Sequence, residues 1–130
     1  MSNGPIAAVN RTRGVLLAQD VTIADTHWTR LRGLMGTRPS AFYPGQALWI
    51  IPCRGVHTLA MRFPLDLVYL DDHSRVVHLE KGVKPWRFAA VKLRAASVLE
   101  LPPGTIQSSG TRVGDKIEIA TANQPEEEAA

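Results

Sequence analysis

Cysteine is nearly absent from this chain, and this limits both the compartment and the chemistry to be considered. Cys53 is the only cysteine among 130 residues, so the chain has no internal disulfide and no thiolate set for zinc or an iron–sulfur cluster. The four histidines also lack the i, i+4 or His-x-His spacing of metal ligands. We therefore predict a cytoplasmic location, no metal site and no other cofactor.

Long apolar runs and nucleotide-binding motifs are missing as well. No apolar run approaches the ~20 residues of a membrane span, and the first ten residues lack the basic and apolar parts of a signal peptide. We therefore expect neither membrane insertion nor secretion. A glycine-rich phosphate loop, a Rossmann fingerprint and a Gly-x-Ser-x-Gly elbow are also absent, which removes the usual sequence support for nucleotide hydrolysis, hydride transfer and serine-hydrolase chemistry.

Acidic residues are scarce outside the C-terminal tail. The net charge is +3, but three of the 12 acidic residues are Glu126, Glu127 and Glu128, so the chain before them carries +6. A basic body favours anionic partners, such as nucleic acid, phosphorylated metabolites or acidic protein surfaces. The charge does not distinguish among these partners.

Short β-prone runs separated by turn residues predict one mainly β domain. We expect a flexible N-terminus at 1–12, a single domain at 13–120 and a disordered acidic tail at 121–130. Apolar residues at helical spacing between Asp25 and Gly36 predict one short helix at 26–35. The fold class expected is mainly β with one short α-helix, as a compact β-sandwich or a partly open barrel. The strands are predicted at 15–18, 21–24, 46–51, 56–63, 65–70, 75–80, 97–101 and 116–120.

The most unusual stretch is 56–66, where polar residues interrupt an apolar strand pair. Alternation places His57 on one strand face with Met61, and Asp66 on a face with Val68. A functional interpretation has His57 and Asp66 facing a cleft, where they bind a ligand or move a proton. The alternative, which the sequence favours, is structural: a buried aspartate in a strand usually accepts backbone or arginine hydrogen bonds.

Two further features offer chemistry outside this stretch. Glu100 interrupts an apolar strand, where alternation points it to solvent; a pair of catalytic carboxylates with Asp66 is a remote alternative. Cys53 lies beside Arg54, whose positive charge could lower the thiol pKa.

A basic segment at 81–97 contains no acidic residue and includes two aromatic side chains. Basic groups neutralise phosphates and aromatic faces stack bases, a combination that binds single-stranded nucleic acid. The alternative is a solvated basic loop in which Trp86 packs inward. The candidate nucleic-acid residues are Lys81, Lys84, Trp86, Arg87, Lys92 and Arg94.

Several landmarks in order along the chain resemble one bacterial and archaeal family, domain of unknown function 192. They include Arg30-Leu31-Arg32-Gly33-Leu34-Met35, Pro64-Leu65-Asp66 and Val98-Leu99-Glu100-Leu101. The resemblance covers about residues 14–119, and the His57-Thr58 pair resembles one subgroup. It implies a compact β-rich fold and supplies no reaction, cofactor or catalytic residue.

Three functional hypotheses follow, and the first needs the fewest assumptions. It is a non-catalytic binding module for a small anionic ligand or a peptide, with a sheet-face cleft. The second is a small hydrolase or isomerase in which His57 is the base and Asp66 orients it. The third is single-stranded nucleic-acid binding by the basic segment. The binding residues predicted for the first are Arg30, Arg54, His57, Thr58, Met61 and Asp66.

Overall fold

Two β-sheets and two short helices form the fold, which a computed structural model describes for residues 4–121. The strands are β1 Ile6–Asn10, β2 Val15–Ala18, β3 Asp20–Ala24, β4 Gln46–Ile50, β5 Leu65–Leu70, β6 Val76–Val83, β7 Ser97–Leu101 and β8 Ile117–Thr121; the helices are α1 His27–Arg32 and α2 Thr105–Ser109.

One sheet has the order β2-β1-β8 and the other the order β3-β4-β7-β5-β6. Among the strands of residues 4–121, only β3 and β4 pair in parallel, and the other paired strands are antiparallel. The mainly β class is confirmed, with two sheets, a second short helix and no closed barrel within residues 4–121. Neither helix of this range is long and apolar enough to cross a membrane.

The N-terminal part of the chain differs from the flexible segment predicted at 1–12. Ile6–Asn10 forms β1, the central strand of the smaller sheet, between β2 and β8. Ala7 and Ala8 have little intrinsic strand preference, so the pairing with both neighbours determines this strand. The predicted acidic tail at 121–130 lies outside the described residues, except for Thr121, which ends β8.

Helix α1 is shorter than predicted, and its apolar side chains do not enter the core. The Thr26 hydroxyl accepts the Thr29 amide at 3.0 Å and the Thr29 hydroxyl accepts the Thr26 amide at 3.0 Å, a reciprocal cap that fixes the start. The helix ends at Arg32, and the cap residue after it, Gly33, has a positive φ of 49°. Trp28 and Leu31 are 67% and 60% exposed, so the part of the apolar stripe within α1 lies at the surface. Leu34, just after the helix, packs against the core.

The predicted hairpin between 46–51 and 56–63 does not form. β4 instead pairs with β3 on one side and β7 on the other. Residues 56–63 contain a single isolated bridge, from His57 to Phe88, and Ala60 has a positive φ of 60°. The apolar run at 56–63 therefore reflects burial under the sheet rather than a strand.

The five-stranded sheet is buried on both faces, which separates the side chains of each strand into two environments. Val68, Leu70 and Leu99 point into the main core between the two sheets, together with Ile106 of α2. Leu67 and Val98 point to the opposite face, where loops cover them. All residues of β5 and β7 are buried, so any polar residue on these strands loses contact with water.

Candidate functional site

A large open cleft lies on the loop-covered face of the five-stranded sheet. Its volume is about 1010 Å³, and its lining comes mainly from three segments, 27–34, 50–57 and 88–96, with Glu100 of β7 and the buried Met61. The first segment is α1 with the turn after it. We refer to this space as the cleft.

Two irregular segments pair to make one wall of the cleft. The Ala89 amide donates to the Val56 carbonyl at 3.0 Å, and the Lys92 amide donates to the Arg54 carbonyl at 2.8 Å. Gly55 permits this approach, since a Cβ there would lie 2.9 Å from Val91 Cγ2. The wall is thus held mainly by main-chain contacts, which leaves its side chains available for a ligand.

Arginines surround the cleft, and one of them is held in place. The Arg30 guanidinium donates to the Pro52 carbonyl at 3.1 Å and to the Thr26 carbonyl at 3.3 Å, and it lies 3.0 Å from His27 Nδ1. Arg54 and Arg94 also line the cleft and are exposed. The sequence predicted Arg30 and Arg54 as binding residues, but it placed Arg94 in the nucleic-acid segment.

Glu100 is the buried acid of the cleft, and its position corrects the expectation that it points to solvent. It is 2% exposed, and Oε1 has no hydrogen-bond partner within residues 4–121. Burial raises its pKa from 4.5 to about 8, because a charged carboxylate loses its hydration there. Strand alternation predicted the wrong environment for Glu100 because β7 is a central strand that is buried on both faces. The apolar residues on either side of Glu100 were the signal in the sequence that could have indicated a buried strand.

Gly33 lies directly beside the Glu100 carboxyl group. A Cβ at Gly33 would be 3.9 Å from Oε1, and both residues line the cleft. The carboxyl therefore lies at the floor of the cleft, next to a position that carries no side chain.

Cys53 also lines the cleft, but it does not have the lowered pKa that its neighbour Arg54 suggested. Burial raises the thiol pKa above its usual value, and the charge of Glu100 raises it further. The sulfhydryl donates to the Gly55 carbonyl at 3.1 Å. The Gly55 hydrogen bond and the charge of Arg30 lower the pKa, but the larger effect of burial still favours the thiol over the reactive thiolate.

The structure brings together four of the six binding residues predicted from sequence. Arg30, Arg54, His57 and Met61 line the cleft. His57 Nδ1 accepts the Leu59 amide at 3.1 Å, so the neutral ring carries its proton on Nε2. Within residues 4–121, Nε2 makes no hydrogen bond.

Thr58 and Asp66 do not line the cleft. The fully buried Thr58 hydroxyl donates to the Lys84 carbonyl at 2.6 Å and accepts the Arg87 amide at 2.8 Å. Thr58 therefore anchors the start of the basic segment.

Asp66 lies on the other face of the sheet, toward the main core. Its carboxylate accepts the amides of Gly82 at 2.9 Å, Gly104 at 3.1 Å and Ile106 at 2.9 Å. Asp66 pairs with Leu101 in the sheet, whereas Glu100 lies on the cleft face. No hydrogen bond joins His57 to Asp66 in the described part of the chain, so the geometry of the hydrolase hypothesis is not formed, nor is a facing pair of Asp66 and Glu100.

The basic segment lies beside the cleft and contributes to it. Trp86 is 64% exposed and Phe88 is 79% exposed, so Trp86 does not pack inward. Lys81, Lys84, Arg87 and Arg94 are exposed and Lys92 is partly buried. Phe88 and Arg94 belong both to this segment and to the cleft lining.

One group of potential metal ligands occurs in the turn between β5 and β6. Asp71, Asp72 and His73 have ligand atoms within 4.8 Å of one another. Asp71 Oδ1 already accepts the amides of His73 and Arg75, both at 2.9 Å. This arrangement is that of an aspartate-stabilised turn.

Comparisons with known proteins agree with the sequence landmarks. The profile of the family DUF192, described as "Uncharacterized ACR", matches residues 8–119. The chain belongs to the DUF192 family. It is 34% identical over 115 residues to a UPF0127 protein of Thermococcus sibiricus, with 85% of this chain and 72% of the relative covered. It is 32% identical over 115 residues to a UPF0127 protein of Pyrococcus furiosus, with 85% and 95% covered.

Two solved structures share the DUF192 fold seen here. One is a protein of unknown function from Novosphingobium aromaticivorans, with a TM-score of 0.73, 20% identity and coverage of 88% of this chain and 83% of that one. The other, from Sinorhizobium meliloti, is described as a candidate transcription regulator, with a TM-score of 0.72, 23% identity and coverage of 91% and 94%. At these identities the likeness concerns the fold alone.

Proposed function

We propose that the protein is a binding module whose cleft takes a small anionic ligand or a peptide with an anionic group. The observation that carries the proposal is the cleft itself, about 1010 Å³ in volume, in which Arg30, Arg54 and Arg94 surround apolar walls. Concave, mostly apolar sites with a few polar groups are typical of ligand binding.

Exposed apolar side chains support the idea that the body of the ligand is apolar. Leu31, Phe88, Val91 and Leu93 are all exposed and all line the cleft. Clustered exposed apolar groups mark binding surfaces in soluble proteins, because leaving them in water is unfavourable. A ligand that covers them gains free energy from removing this surface from water.

The arginines determine the charge that the ligand carries. Arg32 adds a fourth positive side chain to the lining, and Asp72 is the one exposed acid among the described lining residues. Arg30 is already oriented by its contacts with Pro52 and Thr26, so binding immobilises little of it. Guanidinium groups bind carboxylates and phosphates through paired hydrogen bonds.

Replacing both Arg54 and Arg94 by alanine tests the proposal. Anionic compounds with an apolar ring, such as substituted benzoates, are expected to raise the melting temperature of the wild-type protein, since a ligand of the folded state stabilises it. The double variant is expected to bind them roughly tenfold more weakly, because charge-assisted hydrogen bonds are lost. The measurement is isothermal titration calorimetry at fixed ionic strength.

Arg112→Ala is the matched control, because Arg112 is exposed but does not line the cleft. It should bind the same compounds as the wild type does. A wild-type melting temperature unchanged by a broad panel of anions, or equal weakening in the control, would contradict the proposal.

Single-stranded nucleic acid is the second candidate ligand, favoured by the exposure of Trp86 and Phe88 among basic residues. Aromatic side chains in such a position are able to stack on bases. We expect an oligonucleotide of mixed sequence to bind at low salt and to weaken steeply as salt rises. At the same low salt, Trp86→Ala should bind the oligonucleotide more weakly than the wild type does, as measured by fluorescence anisotropy. No binding to either RNA or DNA at low salt excludes this candidate.

The cytoplasmic location is part of the proposal. Its support is the single cysteine, which leaves the domain without an internal disulfide.

A further inference from the structure

The carboxyl group of Glu100 is buried at the cleft, its Oε1 has no hydrogen-bond partner among residues 4–121, and binding of an anion by the arginines does not involve it. Buried polar groups in folded proteins nearly always have a hydrogen-bond partner, and each exception calls for an explanation. Oε1 of Glu100 has no partner within the described part of the chain, although the residue lines a cleft open to solvent. A ligand in the cleft would supply that partner.

The charge of the surroundings indicates which partner fits. Glu100 is flanked in the sheet by Leu48 of β4 and Leu67 of β5, and neither carries charge. The charge of Glu100 raises the pKa of both Cys53 and Tyr69, so these two titratable groups lie near it. The remaining charged or titratable lining residues are His27, Arg30, Arg32, Arg54, His57, Asp72 and Arg94.

This mainly positive lining disfavours a cationic ligand group at the floor. The arginines repel an ammonium group at the entrance of the cleft. At the floor, burial keeps the Glu100 carboxyl protonated at neutral pH, so no negative charge is present to bind the ammonium group. A protonated carboxyl group instead has one O–H to donate. An uncharged acceptor oxygen satisfies that donor without burying a new charge.

We propose that Glu100 recognises the buried end of the ligand by donating a hydrogen bond to an uncharged acceptor oxygen, such as a ketone or amide carbonyl. The other end of the same molecule carries the carboxylate or phosphate that the arginines bind. The inference rests on the proposed function. It restricts the ligand class to elongated, mainly apolar molecules with an anionic group at one end and a carbonyl group at the other.

Two compounds of similar size test this inference: in 4-isopropylbenzoate a CH–CH3 group replaces the C=O group of 4-acetylbenzoate, so only the latter has a carbonyl acceptor. Calorimetry with these two, and with pairs longer by one or two methylenes at the carboxylate end, measures the preference at each length. At pH 6.5 we expect the best-fitting ketone to bind the wild-type protein roughly tenfold more tightly than its isopropyl partner, the effect of one hydrogen bond.

Two substitutions at Glu100 separate hydrogen bonding from packing. Glu100→Gln retains an N–H donor and should retain the preference for the ketone, whereas Glu100→Leu should bind both compounds about equally. In the wild type the preference should fall above pH 8, as the carboxyl ionises, while that of Glu100→Gln stays constant from pH 6 to 9. The other titratable lining residues, including His27, His57 and Cys53, are present in both proteins. A difference in pH dependence between the wild type and Glu100→Gln therefore reports on Glu100.

The outcomes distinguish this inference from the proposed function. If the compounds bind in a manner that depends on Arg54 and Arg94, but no pair shows a ketone preference or Glu100→Leu keeps it, Glu100 does not recognise the ligand and the proposed function stands. If no anionic compound binds at all, both fail. Circular dichroism of each variant verifies folding before the titrations.

Discussion

Replacing Glu100 by glutamine is expected to remove a large pH dependence from the free energy of unfolding. Burial raises the pKa of Glu100 from 4.5 to about 8, so between these values the folded protein holds a proton that the unfolded chain has lost. The free energy of unfolding of the wild type therefore falls as pH rises, by ~1.4 kcal/mol per pH unit. Across the whole window the loss is about 5 kcal/mol, and it is complete above the folded-state pKa.

Urea unfolding at pH 5, 6, 7, 8 and 9 measures this effect. The amide of Glu100→Gln does not titrate, so the free energy of unfolding of the variant should depend less on pH. The variant should therefore become more stable relative to the wild type as pH rises. Asp71 and Asp115 have lowered pKa values, so their contributions change below about pH 4, outside this window. Glu118→Gln is the control, because Glu118 is half exposed and paired with Arg11. Parallel curves for wild type and Glu100→Gln would show that Glu100 is ionised in the folded protein.

Asp66→Ala is expected to cost about 2–4 kcal/mol of stability, because the hydrogen bonds of a buried carboxylate to main-chain amides are lost and water reaches only some of the freed donors. The Asp66 carboxylate accepts three main-chain amides, from Gly82, Gly104 and Ile106. Without it, the buried amide of Ile106 is left unpaired, and the more exposed amides of Gly82 and Gly104 lose their acceptor. The contacts join β5 to the end of β6 and to the start of α2, so the substitution loosens the packing of both on the sheet.

Chemical denaturation of three variants checks this prediction. Asp66→Asn keeps one acceptor oxygen but turns an N–H toward a donor, so it should lose less stability than the alanine variant. Asp20→Ala, at an exposed acid of β3, should change stability by no more than ~0.5 kcal/mol. Because Asp66 lies outside the cleft lining, folded Asp66→Asn should bind anionic compounds with unchanged affinity. A loss below ~1 kcal/mol in Asp66→Ala would contradict the structural role.

Much of the candidate site followed from reasoning about single residues. Arginine is chemically suited to anions wherever it occurs, so Arg30 and Arg54 were predictable as candidate binding residues, and both line the cleft. His57 and Met61 were found because polar residues interrupt an apolar run. Asp66 was found by the same signal, yet it lies on the core side, where main-chain amides satisfy it.

The floor of the cleft could not be predicted in this way. Whether Glu100 meets solvent depends on which strands flank β7, and these are β4 and β5, both distant in sequence. The exposure of Leu31 likewise depends on where α1 is placed relative to the sheet. Helical periodicity reports an apolar stripe, but it does not say whether that stripe is covered.

By itself, the sequence determined the mainly β class, the family, the basic charge of the body and most of the strands, because these depend on composition and local periodicity. Tertiary structure decided that Ile6–Asn10 is a central strand, that 56–63 is not a strand, and that Glu100 is buried beneath a cleft among arginines. The physical reason is that burial and pairing are set by contacts between residues far apart in the chain. Local sequence preferences carry no information about those contacts.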